Sequence, residues 1–287
     1  MKPNLKHLQP FLLAGCLLLS ANPAFSQQKD VSLEKQWETD TAILRVPESV
    51  YFDAGRNVLY ISNIDGAANG KDGKGSISRL TPEGKVLDRE WVKGLNAPKG
   101  MGIYKNRLYV ADLTELLVID IASGRIEQRV PVEGSVFLND IAIDNKGIIY
   151  VSDTRVGKVH QYKNGKVSTL LEGVKDPNGL LFVKGSLYVG ADGSLFRLEK
   201  DNTLRKLAAV GNKVDGIEQV KDGEFIVSCW PGEVFYVNAA TGSAVKLLDT
   251  QQERKNTADI GYSPQKKIVY IPTFNGNTVA AYLLKGL

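Results

Sequence analysis

The sequence predicts an all-β chain folded as a six-bladed β-propeller with four-stranded blades, and three observations carry that prediction. First, one phrase returns six times: a polar residue, a short apolar stretch, a turn, then an aromatic-rich strand ending in a polar residue. The copies occupy 46–63, 97–112, 137–153, 176–192, 213–230 and 257–274. Second, the polar residues that open the copies, Glu48, Lys99, Asn139, Asn178, Asp215 and Asp259, are spaced by 51, 40, 39, 37 and 44 residues. Third, the last copy ends one strand short, while a spare strand-like segment, 35–44, precedes the first. That segment is expected to complete the sixth blade and close the ring, hiding edge strands that would otherwise invite aggregation. Trimming 33–44 should then destabilise the whole domain.

The chain opens on a basic stretch, an apolar run and a small-residue segment ending at Ser26. This order reads as a secretory signal peptide over 1–26, the apolar run being too short to span a bilayer. Residues 27–287 are then one propeller domain, secreted or periplasmic. Leu13-Ala14-Gly15-Cys16 also resembles a lipoprotein box, so a lipid anchor at Cys16 stands as the lesser alternative. Without Lys2 and Lys6 the formal net charge falls from +4 to +2, and no clustered basic stripe calls for nucleic acid. Cys229 alone remains beyond the leader, which excludes an intrachain disulfide.

Each repeat begins on a strand leaving the axis, such as 141–144, and turns through a polar pair with glycine, as at 145–147 or 222–223. A β-branched and aromatic strand follows, for example 148–153 or 186–191, with the alternation of a pleated element. Third strands are expected at 75–80, 115–120, 157–162, 193–198, 232–237 and 277–282, and fourth strands at segments such as 165–173 and 243–250. The longest spacing contains a glycine-rich loop, 65–75, expected as a mobile flap on the face that carries the anchors. It lacks the Ser/Thr and the spacing of a phosphate-binding loop.

A propeller converges equivalent loops on one axis, so the six anchors should meet there. Three carboxylates, two amides and a lysine are costly to crowd without a counter-ion. Oxygen donors select hard cations, calcium before magnesium; manganese is a further candidate, and zinc has no His or Cys cluster behind it. The same Asn-Gly, Asn-Asp and Asp-Gly pairs also serve simply as turn formers. Trp230 and Phe274, with Arg155, fall on loops of the same face as Asp112, Asp153 and Asp192, and the two aromatics suit stacking on a ring. They equally suit capping the core. His160 reads as a surface or edge residue, and Trp37 and Trp91 as packing residues. Neither a G-x-S-x-G nucleophile motif nor a His partner for Cys229 occurs.

In order and blade position, the Glu of 46–52, the Asn-Asp of 137–144, the Asn-Gly of 176–182 and the Asp-Gly of 214–220 resemble the senescence-marker/gluconolactonase/luciferin-regenerating family. More distantly they resemble paraoxonases and strictosidine-synthase-like propellers. The resemblance spans about 41–285. It implies a divalent metal on the axis held by Glu48, Asn178 and Asp215, with Asn139 beside it and Asp215 as general base. It further implies metal-dependent lactone hydrolysis. Lys99 and Asn139 would donate hydrogen bonds to the oxyanion or substrate, and Asp259, Arg155, Trp230 and Phe274 would contact the substrate, a lactone or sugar derivative. Two departures stand out. Phe137 and Leu138 occupy positions where sugar-lactonase members carry an Arg, pointing to a less polar substrate, and no counterpart of the paraoxonase histidine pair exists. A lyase or isomerase on the same metal, or a non-catalytic propeller binding a sugar, peptide or protein, are the competing expectations, because this fold hosts many functions.

Overall fold

Residues 30–287, with Met1, are described by a computed structural model; the expected leader and Cys16 lie outside the described residues. Six four-stranded antiparallel sheets form a ring with almost no helix. Blade one runs through Pro47–Asp53, Val58–Asn63, Gly75–Leu80 and Val86–Leu95; blade two through Pro98–Tyr104, Arg107–Asp112, Glu115–Asp120 and Ile126–Pro131. Blade three comprises Leu138–Ile143, Ile149–Asp153, Lys158–Lys163 and Lys166–Leu171, and blade four Leu180–Val183, Ser186–Ala191, Ser194–Leu198 and Leu204–Ala209. Blade five is Val214–Lys221, Glu224–Cys229, Glu233–Asn238 and Ser243–Asp249. Among the described residues no helix is long and apolar enough to cross a membrane.

Blade six takes Gly261–Ser263, Ile268–Pro272 and Val279–Lys285 from the end of the chain and Ser32–Glu38 from its beginning. The closing strand pairs antiparallel with the last one, Ser32 opposite Lys285 and Glu38 opposite Ala280. It begins earlier than the 35–44 segment expected, and residues 39–44 turn back towards blade one. Trp37 packs on Tyr270 of blade six with ring centroids 6.0 Å apart. It also lies against Gly84 of blade one, where an added Cβ would collide with the indole. Glu38 accepts from Lys255 Nζ at 2.7 Å and from Thr278 Oγ1 at 2.6 Å, and pairs with Lys35. Closure is therefore made by backbone pairing, an indole wedge and one carboxylate.

Both faces of each blade are buried, so neighbouring residues of one strand serve opposite interfaces. In Glu115–Asp120, Leu116 and Val118 face blade three, whereas Leu117 and Ile119 face blade one. Six such apolar clusters fill the six blade interfaces. A seventh, smaller cluster of Ile64, Ala97 and Leu113 carries Val46, Ala68, Phe137 and Phe274 against it. It lies on the face of the ring where the first strands begin, and it floors the apolar side of the candidate site. Trp91 packs against Tyr60 at 5.3 Å, and His160 is 4 % exposed. The histidine is thus buried rather than at the surface: it sits on a third strand with Nδ1 3.3 Å from Thr169 Oγ1, and burial lowers its pKa.

Candidate functional site

The anchors stand where the inner strands are deliberately irregular. Pairing with the second strand shifts register between Pro47 and Ser49, Pro98 and Met101, Leu138 and Ile141, and Val214 and Ile217. Glu48, Lys99, Asn139 and Asp215 fall inside these shifts, which re-aim a side chain out of the pleat. At three of these irregularities a side chain, not the ladder, takes a backbone N–H. Serines of the second strand answer in three blades: Ser62 Oγ accepts from Ser49 N at 3.0 Å, Ser152 Oγ from Asp140 N at 2.9 Å and Ser228 Oγ from Gly216 N at 2.8 Å.

The glycines that follow three anchors are not turn residues. Gly100, Gly179 and Gly216 lie within or beside inner strands, and none has a left-handed φ. A Cβ on Gly179 would strike the Asp215 carbonyl oxygen, one on Gly216 the Ile260 amide, and one on Gly100 the Asp140 carboxylate. Inner strands of adjacent blades touch at this level, and only glycine lets them do so.

Five of the six expected anchors, Glu48, Lys99, Asn139, Asn178 and Asp215, line one cavity of about 320 Å³. Arg155, Trp230 and Phe274 line it too, with Ile64, Ala68, Phe137, Thr154, Asp176, Lys213 and Val214. Asp259 does not. Its backbone bridges Ser49 rather than Glu48, with Asp259 N donating to the Glu48 carbonyl at 3.0 Å and Val50 N to the Asp259 carbonyl at 3.1 Å. Asp259 therefore stands one residue below the ring of anchors, and Ala258 is level with Glu48. A slip of one residue in register is enough to move a side chain to a different layer. There Asp259 accepts from Ser49 Oγ at 2.5 Å, and burial pushes its carboxyl up to about 7. Its expected contact with substrate is replaced by a supporting place beneath the cavity.

Three buried oxygens of cavity-lining residues have no hydrogen-bond partner among the described residues: Glu48 Oε2, Asn178 Oδ1 and Asp215 Oδ1. Burial raises the Glu48 pKa well above the usual range, aided by Asp215 and opposed by Lys99. Burial likewise raises that of Asp215, with Asp259 adding to the effect and a hydrogen bond from the Asn178 side chain and the charge of Lys99 offsetting it. Orphaned buried acceptors are rare because each costs free energy. This donor set fits a hard divalent cation, which would supply all three with a partner. Among the described residues no group of three or more His, Cys, Asp or Glu side chains is placed to hold a metal, so a cage here would rest on two carboxylates and amide oxygens.

Asn139 is fixed by its neighbours. Its Nδ2 donates to Thr154 Oγ1 at 3.0 Å, and that hydroxyl donates to the Pro177 carbonyl at 2.8 Å. That uses one of the two N–H groups on Nδ2, so Asn139 keeps a second donor as well as Oδ1 for a ligand. The donor role expected of it is shared with Lys99. Lys99 is 1 % exposed, and its Nζ donates to the Ala97 carbonyl at 2.9 Å and to the Ala68 carbonyl at 3.0 Å. Burial lowers its pKa to about 8, although Glu48 and Asp112 favour the charged form. The glycine-rich segment containing Ala68 thus lies over the cavity as expected, tied down by Lys99 and by a 2.8 Å hydrogen bond from Lys71 Nζ to Thr114 Oγ1.

Asp112 and Asp153 are fully buried and serve structure. Asp112 accepts from the Asn96 and Ala97 amides at 2.9 and 2.7 Å, and Asp153 from those of Val136 and Phe137 at 3.0 and 2.9 Å. They set the loops that deliver Lys99 and Asn139. Asp192 is turned outward into an ion pair with Lys175. Trp230 and Phe274 meet edge to face at 4.5 Å and form one wall of the cavity, with Phe274 held at φ 42, a costly conformation for a bulky residue. Val46, two residues before Glu48, is strained in the same way at φ 52; its N–H donates to Asn277 Oδ1 at 2.8 Å, so blade six positions the approach to Glu48. Phe137, at the position expected to make the pocket less polar, lines the cavity, and its ring lies 4.4 Å from both Lys99 Nζ and Arg155 Cζ.

No protein-family model and no curated protein sequence matches the chain. Solved structures match over most of its length. A candidate gluconolactonase is similar with a TM-score of 0.64 at 15% identity, covering 90% of this chain and 93% of that one. A luciferin-regenerating enzyme gives 0.62 at 14%, covering 90% and 96%. A streptogramin B lyase gives 0.63 at 12%, covering 89% and 97%. At such identities the likeness establishes architecture, and the chain shares the six-bladed β-propeller fold of gluconolactonase-like, luciferin-regenerating and streptogramin-lyase proteins.

Proposed function

We propose that the protein is a metal-dependent hydrolase of lactones or related esters, with calcium the preferred cation. The observation that carries this reading is the convergence on one cavity of three buried oxygens without a hydrogen-bond partner among the described residues, Glu48 Oε2, Asn178 Oδ1 and Asp215 Oδ1. Glu48, Asn178 and Asp215 would hold the cation, with Asn139 Oδ1 beside them. Bound there, it would polarise a carbonyl and stabilise the oxyanion that forms on it. Asp215 takes the proton of the attacking water as its oxygen adds to the carbonyl carbon, then returns that proton to the ring oxygen as the C–O bond breaks, giving a hydroxy acid. Lys99, with two N–H groups committed to backbone carbonyls, directs its third at the bound molecule. Trp230, Phe274 and Phe137 exclude water and hold an apolar body. The likeness to a candidate gluconolactonase supports this reading, while the likeness to a lyase on the same fold fits the lyase alternative.

The test is a panel of aliphatic, sugar and aryl lactones, assayed for proton release after chelation and again with calcium. Calcium-restored turnover of at least one class is the expected result. No turnover of any lactone or simple ester, with or without metal, would move the protein to the non-catalytic binding reading.

A further inference from the structure

Of the two cations around Phe137 the hydrolytic chemistry uses Lys99 alone, and the pair defines the other half of the ligand. Lys99 Nζ and Arg155 Cζ each lie 4.4 Å from the centre of the same ring. The two charges are close enough that Arg155 disfavours the charged form of Lys99. Attraction of both to the ring face offsets part of that repulsion. Phe137 itself is fixed from behind, its amide donating to the buried Asp153 carboxylate and its side chain packed on the Ile64, Ala97 and Leu113 cluster. The pair is therefore built in place.

Each member retains unused donors. Among the described residues Lys99 has one N–H without an acceptor, and Arg155 makes neither an ion pair nor a side-chain hydrogen bond. Lys213 brings a third cation to the cavity wall. Of the acids lining the same space, Glu48 and Asp215 are committed to the axial cation on the reading above, which leaves Asp176 alone against three positive charges. Asp176 forms no ion pair with any of them among the described residues. A surplus of positive charge in a space walled by Phe137, Trp230 and Phe274 calls for an anion joined to an apolar ring.

We infer that the cavity selects a ligand carrying a carboxylate beside an apolar or aromatic ring, the carboxylate seated between Lys99 and Arg155 and the ring against Trp230 and Phe274. A carboxylate matches the planar guanidinium fork and takes the free N–H of Lys99 at the same time. This inference rests on the hydrolase reading and narrows it: the substrate is an anionic aryl or alicyclic lactone rather than a neutral sugar lactone. Lys99 accordingly holds the substituent, and the reacting carbonyl faces the axial oxygens.

The test uses a matched pair of probes, 3-phenylpropionate and the uncharged 3-phenylpropionamide, titrated calorimetrically into the full protein with and without calcium. The carboxylate is expected to bind at least tenfold more tightly than the amide. Arg155→Gln should cut that preference several-fold; Lys213→Gln, a smaller step at an exposed residue, should cut it less and keeps the test open if the first variant folds poorly. An equal preference in wild type and both variants would overturn the inference, since the cation alone would then hold the anion. Failure of the carboxylate to bind would overturn it as well. Neither readout depends on turnover, so a negative lactone panel and a negative charge preference remain separate results.

Discussion

Asp215→Asn is expected to lower turnover by about 10²–10⁴-fold, the range lost with a positioned general base, while the propeller stays folded. The side chain keeps its shape, and the change removes a carboxyl that burial and Asp259 already disfavour as an anion. Asn178, which hydrogen-bonds the carboxylate, still meets an amide oxygen. A drop in turnover with an unchanged far-ultraviolet spectrum fits the assignment. Unchanged turnover would remove Asp215 from the base role, and Glu48 would be the next candidate. Glu48→Gln should act through metal retention alone, whereas Asp215→Asn removes a metal ligand and the base together, so only the loss in Asp215→Asn should persist at saturating calcium.

The second large effect concerns stability. A chain that begins at Arg45 loses the closing strand, and its last strand, Val279–Lys285, becomes an open edge. It also loses Leu33 and Trp37, packed in the blade-six interfaces, and the fully buried Leu44. At about 1.5–3 kcal/mol for each large apolar side chain, the loss is on the order of 5 kcal/mol, comparable with the whole stability of many domains. Aggregation or failure to fold is the expected outcome, and a truncated chain that unfolds at the wild-type temperature would show that closure contributes little. Glu38→Gln probes the same junction mildly. Burial opposes ionisation of Glu38, but Lys255, Lys35 and Thr278 outweigh it and bring its pKa down to about 2 from 4.5. A depressed carboxyl stabilises the folded state above its unfolded pKa, and that contribution disappears as pH falls from 4.5 towards about 2. The variant should therefore unfold earlier than wild type at pH 7, with the gap narrowing below pH 4.5.

Much of this architecture was legible because a propeller repeats itself. The polar opening of each copy located Glu48, Lys99, Asn139, Asn178 and Asp215, and the missing last strand located the closure. Asp259 shows where repetition misleads: Ala258-Asp259-Ile260 offers a polar residue at the right spacing, yet the parallel bridge to Ser49 sets it one step lower. Register between blades is fixed by contacts across the ring, and no local pattern encodes it. Glycine after an anchor looked like turn chemistry, whereas the close approach of neighbouring inner strands explains it. The serines of Ile61-Ser62-Asn63, Val151-Ser152-Asp153 and Val227-Ser228-Cys229 were a readable signal in retrospect, small hydroxyls one step before the strand ends. Lys99, Phe137 and Arg155 are separately visible, but their meeting on one ring depends on a strand of blade two and two loops of blade three. His160 looked peripheral because a third strand usually is; here its side chain lies over the buried Asp153, with Nε2 4.0 Å from the carboxylate.

The central claim is that Glu48, Asn178 and Asp215 form a cation site. Its most direct test follows thermal unfolding of the chelator-treated protein during titration with calcium, magnesium, manganese and zinc. A ligand of the folded state alone adds about 2.7 kcal/mol at a hundred times its Kd, so calcium should raise the midpoint by several degrees. That rise should vanish in Glu48→Gln and in Asp215→Asn. A midpoint that no metal moves, or a rise that both variants retain, would contradict the claim.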